Sequence, residues 1–269
     1  MTRGFVSGAP IGVFDSGMGG LTVLRALEAA MPGQSFVYLG DTARLPYGTK
    51  SPVTVKRYAL RASRELVNRG VGALVIACNT ASAVALDALR VEYSEIPVFG
   101  VVEPGAAAAC TVGDVERVAV FATESTVRGQ AYQRALLSRQ PQLLVRARSC
   151  QLLVALAEEG WLDGEVVEAT LNGYLAGIIS WQPDVLLLGC THFPVFRAAL
   201  KRLLGDTVEL VDSAETTAVE VARALNLNDA NTSNSGHRTL LATDDVARFR
   251  RVGNYFLGEP IDEVELVDL

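Results

Sequence analysis

Two stretches of this chain share one plan. Ala73 to Leu89, ALVIACNTASAVALDAL, and Val185 to Leu200, VLLLGCTHFPVFRAAL, each begin as a short apolar strand. A small residue and a cysteine follow, then polar residues, then an apolar-periodic helix. Such strand–helix alternation is the building unit of a parallel sheet covered by helices. The cysteines, Cys78 and Cys190, hold matching places in the two units.

The rest of the chain repeats the alternation. Apolar strands are expected at Ile11–Phe14, Ser35–Leu39, Ala73–Ala77 and Pro97–Phe99, with helices between them. Ser51 caps a helix opened by Pro52 and running to about Asn68. A second series begins with an alanine-rich helix after Glu103-Pro104. Its strands are Arg117–Phe121, Leu143–Ala147, Asp184–Leu188 and Val208–Val211. The turn Ala122–Thr126 leads into a helix ending near Arg139, and Gln151–Glu159 reads as helical. Asp163 is expected to cap a helix reaching about Ser180, and Asp212-Ser213 to open one reaching about Leu225. Asn226–Gly236 is polar and turn-rich, as an exposed linker is. A strand near Arg238–Ala242, a short helix from Asp244 and a strand near Glu263–Val267 complete the chain.

The two series align. Ile11–Ser16 resembles Val118–Thr123, with Phe14 and Phe121 107 positions apart; Cys78 and Cys190 are 112 apart. Loop changes account for so small a difference. The expected fold is α/β, with two similar parallel-sheet lobes related by approximate two-fold symmetry.

Several function classes are disfavoured. Hydrophobic residues make up 49% of 269 positions, enough for a large core, and the net charge is -6, which argues against a general nucleic-acid surface. The N-terminal MTRGFVSGAP has no apolar core of signal-peptide length, and no apolar run is long enough to span a bilayer. The expectation is a cytoplasmic protein with no membrane or nucleic-acid partner. Four cysteines, none paired as C-x-x-C, and two histidines, His192 and His237, predict neither a metal site nor a disulfide framework. The glycine-rich turn Asp15-Ser16-Gly17-Met18-Gly19-Gly20 is not G-x-G-x-x-G. It lets a ligand approach the backbone closely, or is simply a tight turn capped by Ser16. The loop from Gly40 to Lys50 is long for a compact α/β connection, as functional loops are.

Taken singly, each cysteine reads as a small buried apolar residue. Taken as a pair, they sit where parallel α/β sheets bind ligands, beyond the strand ends and before a helix. If the lobes face each other, two sulfurs approach one carbon from opposite sides. One thiolate then removes a proton and one thiol returns a proton to the other face. Asp15 and His192 are polar groups at strand ends able to orient or deprotonate a thiol. Arg44 reads as a solvated loop charge or, alternatively, the partner of a carboxylate, and Cys110 and Cys150 read as structural.

These residues resemble the glutamate racemases, cofactor-independent enzymes of bacterial cell-wall synthesis. The matching motifs are Gly12-Val13-Phe14-Asp15-Ser16-Gly17 with Gly19-Gly20-Leu21, and Asp41-Thr42-Ala43-Arg44-Leu45-Pro46-Tyr47-Gly48. Ala77-Cys78-Asn79-Thr80-Ala81, Gly189-Cys190-Thr191-His192-Phe193-Pro194 and Val211-Asp212-Ser213-Ala214 continue the match. The resemblance covers about Ile11 to Ala224 and implies two flavodoxin-like parallel-sheet lobes with the active site between them, a first of residues 1–98 and 211–269 and a second of residues 99–210.

The resemblance also implies roles. Cys78 takes the α-proton of D-glutamate, assisted by Asp15. Cys190 takes that of L-glutamate, assisted by Glu158 and His192. Asp15, Ser16, Pro46, Tyr47, Gly48, Asn79, Thr80, Thr123, Thr126, Thr191 and His192 hold the substrate's carboxylates and ammonium. No cofactor is implied, and the lysines, Lys50, Lys56 and Lys201, are badly placed to hold pyridoxal phosphate. Dimers are common in the family.

One segment departs from the family pattern. Where that pattern reads C-P-L-F-V-P-L-V-E, this chain has Cys150-Gln151-Leu152-Leu153-Val154-Ala155-Leu156-Ala157-Glu158. The register keeps Glu158 in place, with Glu159 the neighbouring alternative. Two other functions stay open on the residues alone: a racemase of aspartate or another small amino acid, and a non-catalytic amino-acid-binding protein.

Overall fold

Ile11–Asp15 (β1) is buried at every position, as a strand covered on both faces must be. It pairs in parallel with Phe36–Gly40 (β2) on one side and Ala73–Ile76 (β3) on the other. Between them run the helices Leu21–Ala30 (α1) and Pro52–Asn68 (α2). The Ser51 side chain caps α2 by accepting from the Thr54 amide, as the sequence predicts. Asn79–Glu92 (α3) leads to Val98–Gly100 (β4), which pairs with β3. The structure, a computed structural model, describes residues 5–6, 8–227 and 236–269. The expected linker Asn226–Gly236 lies outside the described residues over positions 228–235, as do positions 1–4 and 7 of the N-terminal stretch.

After Val102–Cys110 (α4), a second sheet starts with Arg117–Ala122 (β5). The single helix expected before Arg139 is two, Glu124–Arg128 (α5) and Ala131–Arg139 (α6). Gln130 interrupts them with a left-handed backbone, φ 53°. Leu144–Ser149 (β6), Gln151–Glu158 (α7), Glu165–Leu175 (α8), Val185–Gly189 (β7), Arg197–Leu204 (α9) and Glu209–Asp212 (β8) follow.

Asp163 does not cap α8. Gly164 stands at the cap with φ 95°, while Asp163 accepts from the Gly164 amide and pairs with Arg202. The helix stops at Leu175, because Gly177 adopts φ 75° and a 3-10 turn, Ile179–Trp181, replaces the expected last turns. Asp212 caps Ser213–Ala224 (α10) by accepting from the Ala214 amide. Arg238–Ala242 (β9), Val246–Leu257 (α11) and Glu265–Leu266 (β10) return to the first sheet. Asp245 caps α11, whose twelve residues exceed the short helix expected there.

The strand orders are β10-β9-β2-β1-β3-β4 and β6-β5-β7-β8, all parallel. The shared core of the two orders, 2-1-3-4 and 6-5-7-8, is the same. Phe14 lies opposite Ile76 in one sheet, and Phe121 opposite Leu188 in the other. The repeat read from sequence is thus a repeat of topology and register. One apolar cluster joins the lobes, running from Met18 and Leu21 through Ala218 and Val221 to Phe193 and Phe196. Among the described residues no helix is long and apolar enough to cross a membrane.

Candidate active site

Cys78 follows β3 and caps α3: its sulfur accepts from the Ala81 amide at 3.5 Å and donates to Ser16 Oγ at 3.4 Å. Cys190 follows β7, with its sulfur 3.8 Å from His192 Nδ1. Both are buried free thiols that line one small cavity walled by residues of both lobes. Ser16, Pro46, Tyr47, Gly48, Asn79, Thr80, Thr123, Glu158, Thr191 and His192 line it too. Of the sequence-expected residues, Asp15 and Thr126 do not. Asp15 lies fully buried, accepting from the Gly17 amide at 2.9 Å and the Thr191 hydroxyl at 3.4 Å. Thr126 stands behind Thr123, their hydroxyls 3.1 Å apart.

The two lobes meet through polar contacts around the cavity. The Thr80 and Thr123 hydroxyls are 2.8 Å apart across it. Asn79 Nδ2 donates to Tyr132 Oη at 2.6 Å and to Ser213 Oγ at 3.4 Å. The glycine-rich turn serves this contact. A Cβ on Gly19 would stand 2.4 Å from His192 Nδ1 and 2.6 Å from Thr191 Oγ1. What approaches that backbone is therefore the opposite lobe. Ser16 does not cap α1, which has no side-chain cap; its hydroxyl meets Cys78 instead.

His192 is held on both sides. Its Nε2 lies 3.1 Å from Glu158 Oε1, and its ring packs edge-on against Phe256 with centroids 5.1 Å apart. Glu158 is buried despite the altered segment before it, whereas Glu159 is exposed. Arg248 on α11 reaches the second Glu158 oxygen at 3.4 Å. Burial opposes charge on His192, but its bonds to Cys190 and Glu158 outweigh that and push its pKa up to about 10. The imidazolium so favoured stands where negative charge on Cys190 would meet an opposite charge.

Among the described residues Cys78 has no such cation beside it. Burial, reinforced by the nearby Asp15 carboxylate, pushes its pKa up to about 12. Burial also raises the Asp15 pKa, against the opposing pull of His192 and backbone amides. Asp15 makes no hydrogen bond to Cys78.

Sequence reading missed several participants. Tyr47 donates to Asp41 at 2.6 Å, and Asp41 also pairs with Arg44 at 2.7 Å, so of the two readings of Arg44 the carboxylate pairing holds. Leu45, Gln151 and Val154 line the cavity. Gln151, Val154 and Glu158 share one face of α7 by their spacing of three and four, a signal the sequence does carry. Arg248 is 90 positions from Glu158, and nothing local marks it. Among the described residues, no group of three or more His, Cys, Asp or Glu could hold a metal ion.

The fold and sequence have known relatives. The chain is 48% identical over 261 residues to the glutamate racemase of Geobacter metallireducens, covering 96% of each. The structure of glutamate racemase from Francisella tularensis in complex with D-glutamate matches with TM-score 0.90 and 34% identity, over 98% of each chain. That of glutamate racemase from Thermus thermophilus in complex with β-chloro-D-alanine matches with TM-score 0.85 and 42% identity, over 97% of this chain and 98% of that one. The sequence pattern of the Asp/Glu/hydantoin racemase family matches residues 11–221. On that match and these identities, the chain belongs to the Asp/Glu/hydantoin racemase family.

Proposed function

We propose that this chain interconverts L- and D-glutamate without a cofactor, by proton transfer between the substrate and two facing thiols. The observation that carries the reading is the pair Cys78 and Cys190, each at the end of an equivalent strand and both lining one cavity. The relatives that match over nearly the whole chain are glutamate racemases.

With L-glutamate bound, the Cys190 thiolate takes the α-proton as the C–H bond breaks, and the electron pair stays on the carbon. Cys78, held as a thiol, gives its proton to the opposite face. The product is D-glutamate, with Cys78 now the thiolate and Cys190 the thiol. The reverse turnover or solvent exchange resets them. His192 and Glu158 support charge on Cys190, and Asp15 borders Cys78. Ser16, Pro46, Tyr47, Gly48, Asn79, Thr80, Thr123, Thr126 and Thr191 hold the substrate, directly or through a neighbour. Neutral hydroxyls and amides stabilise the charge that develops towards the α-carboxylate.

The reading places the protein in the cytoplasm, supplying D-glutamate for peptidoglycan, and includes pairing of two copies, to be checked by analytical ultracentrifugation. It also divides the chain as the sequence suggested, residues 1–98 with 211–269 against 99–210. In support, β4, ending at Gly100, pairs within the first sheet and β8, ending at Asp212, within the second.

Single Cys78→Ala and Cys190→Ala variants test it. Each is expected to lose racemisation by about a thousandfold or more while keeping its thermal midpoint near that of the parent. Near-parental turnover by either variant would overturn the two-thiol mechanism.

A further inference from the structure

A glutamate ligand brings two carboxylates and one ammonium into the cavity. Among the described residues the lining offers no lysine or arginine. Both carboxylates must then be met by neutral donors, backbone amides, hydroxyls and side-chain amides, with His192 already engaged by Glu158 and Cys190. Among the described residues two side-chain amides line the cavity, Asn79 and Gln151. The Asn79 amide nitrogen is taken up by Tyr132 and Ser213.

Gln151 is different. It opens α7, and its Oε1, like the Asn79 Oδ1, is buried with no hydrogen-bond partner, but among the described residues nothing engages its amide nitrogen. A Cβ on Gly48 would stand 2.8 Å from that oxygen and 2.7 Å from Thr123 Cβ, so the amide lies against the Gly48 backbone. A buried amide oxygen left unbonded is costly unless a ligand completes it. Turning the amide about its last torsion exchanges oxygen and NH2 in the same space, so either end can face the ligand.

We propose that the Gln151 side-chain amide binds the substrate's side-chain carboxylate, donating from Nε2. The inference rests on the glutamate reading above. The two sulfurs must flank the α-carbon, and Gln151 bonds neither of them. It lies on the wall built by Gly48 and Thr123, so it meets the part of the substrate farther from the reacting carbon. In the pattern of the related enzymes this position is proline, which has no side-chain donor. The contact is then particular to chains carrying an amide here.

The test compares parent, Gln151→Leu and Gln151→Glu, measuring D-glutamate binding by calorimetry alongside steady-state racemisation. Gln151→Leu is expected to raise Kd and KM about tenfold or more, the loss typical of a hydrogen bond to a charged group, with kcat changing far less. Gln151→Glu sets an anion against a carboxylate and should weaken binding further than leucine does. Tighter binding by Gln151→Glu would overturn the assignment in favour of an ammonium contact. Unchanged Kd in Gln151→Leu would overturn any substrate contact by this residue. A parent that binds D-glutamate but never racemises it would sink the racemase reading while the Kd comparison still decided the role of Gln151. A parent that binds no glutamate overturns both.

Discussion

His192 Nε2 stands 3.1 Å from Glu158 Oε1, with both side chains almost wholly withdrawn from solvent. Through this contact a carboxylate on the short helix α7 fixes the imidazole that faces the Cys190 sulfur. Arg248 on α11 holds the other oxygen of the same carboxylate. Three elements distant in sequence thus converge behind one thiol.

Removing the charge of Glu158 while keeping its shape should weaken that support. Glu158→Gln is expected to lower kcat/KM about tenfold to a hundredfold. The factor must be equal in both directions, because a racemisation has an equilibrium constant of one. The asymmetry appears elsewhere. The kinetic isotope effect should grow more with α-deuterated L-glutamate than with the D-enantiomer, since the L-proton goes to Cys190. Equal growth for the two would contradict the assignment of Glu158 to the Cys190 side.

The His192 pKa, raised to about 10 from its ordinary 6.5, makes a stability prediction. A group raised on folding stabilises the folded state fully below its unfolded pKa, and that contribution is lost as pH climbs through the folded value. The window is therefore pH 6.5 to 10. Thermal midpoints of the parent and of His192→Gln should be compared across it. The parent's advantage should be greatest at the acid end and decline toward pH 10. An advantage that grows with pH would contradict a protonated His192.

Gly19 should tolerate no side chain. Alanine there places Cβ 2.4 Å from His192 Nδ1 and 2.6 Å from Thr191 Oγ1, so the lobes or the ring must move. Overpacking of this kind costs about 1–3 kcal/mol, which in a chain of this size lowers the midpoint by roughly 2–10 °C. Activity should fall as well, because the displaced ring is the one facing Cys190. A Gly19→Ala variant with parental midpoint and turnover would refute the close approach.

Much of this arrangement was legible in the sequence. Apolar strands and periodic helices announced a parallel α/β fold, since burial on both sheet faces leaves continuous apolar runs. The matching offsets of Phe14/Phe121 and Cys78/Cys190 announced two like lobes, because equivalent strands carry equivalent loops. Glu158 kept its place although both prolines before it are gone, as α7 still presents Gln151, Val154 and Glu158 on one face. What stayed hidden was contact between distant elements. Gly19 was read as room for a ligand, but the space is filled by His192, 173 positions away. Arg248 carries no local signal. The early end of α8 depends on the left-handed backbone of Gly177, which a periodic apolar pattern running past it conceals.

The most direct test of the central claim is α-proton exchange in D2O with no added cofactor. The folded protein, with its thiols reduced, is incubated separately with L-glutamate, D-glutamate and L-aspartate. The α-proton NMR signal and the optical rotation are followed together. We expect both to decay with either enantiomer of glutamate and to persist with aspartate. Decay with aspartate alone would keep the two-thiol chemistry and contradict the substrate. No decay with any of the three would contradict the racemase account itself.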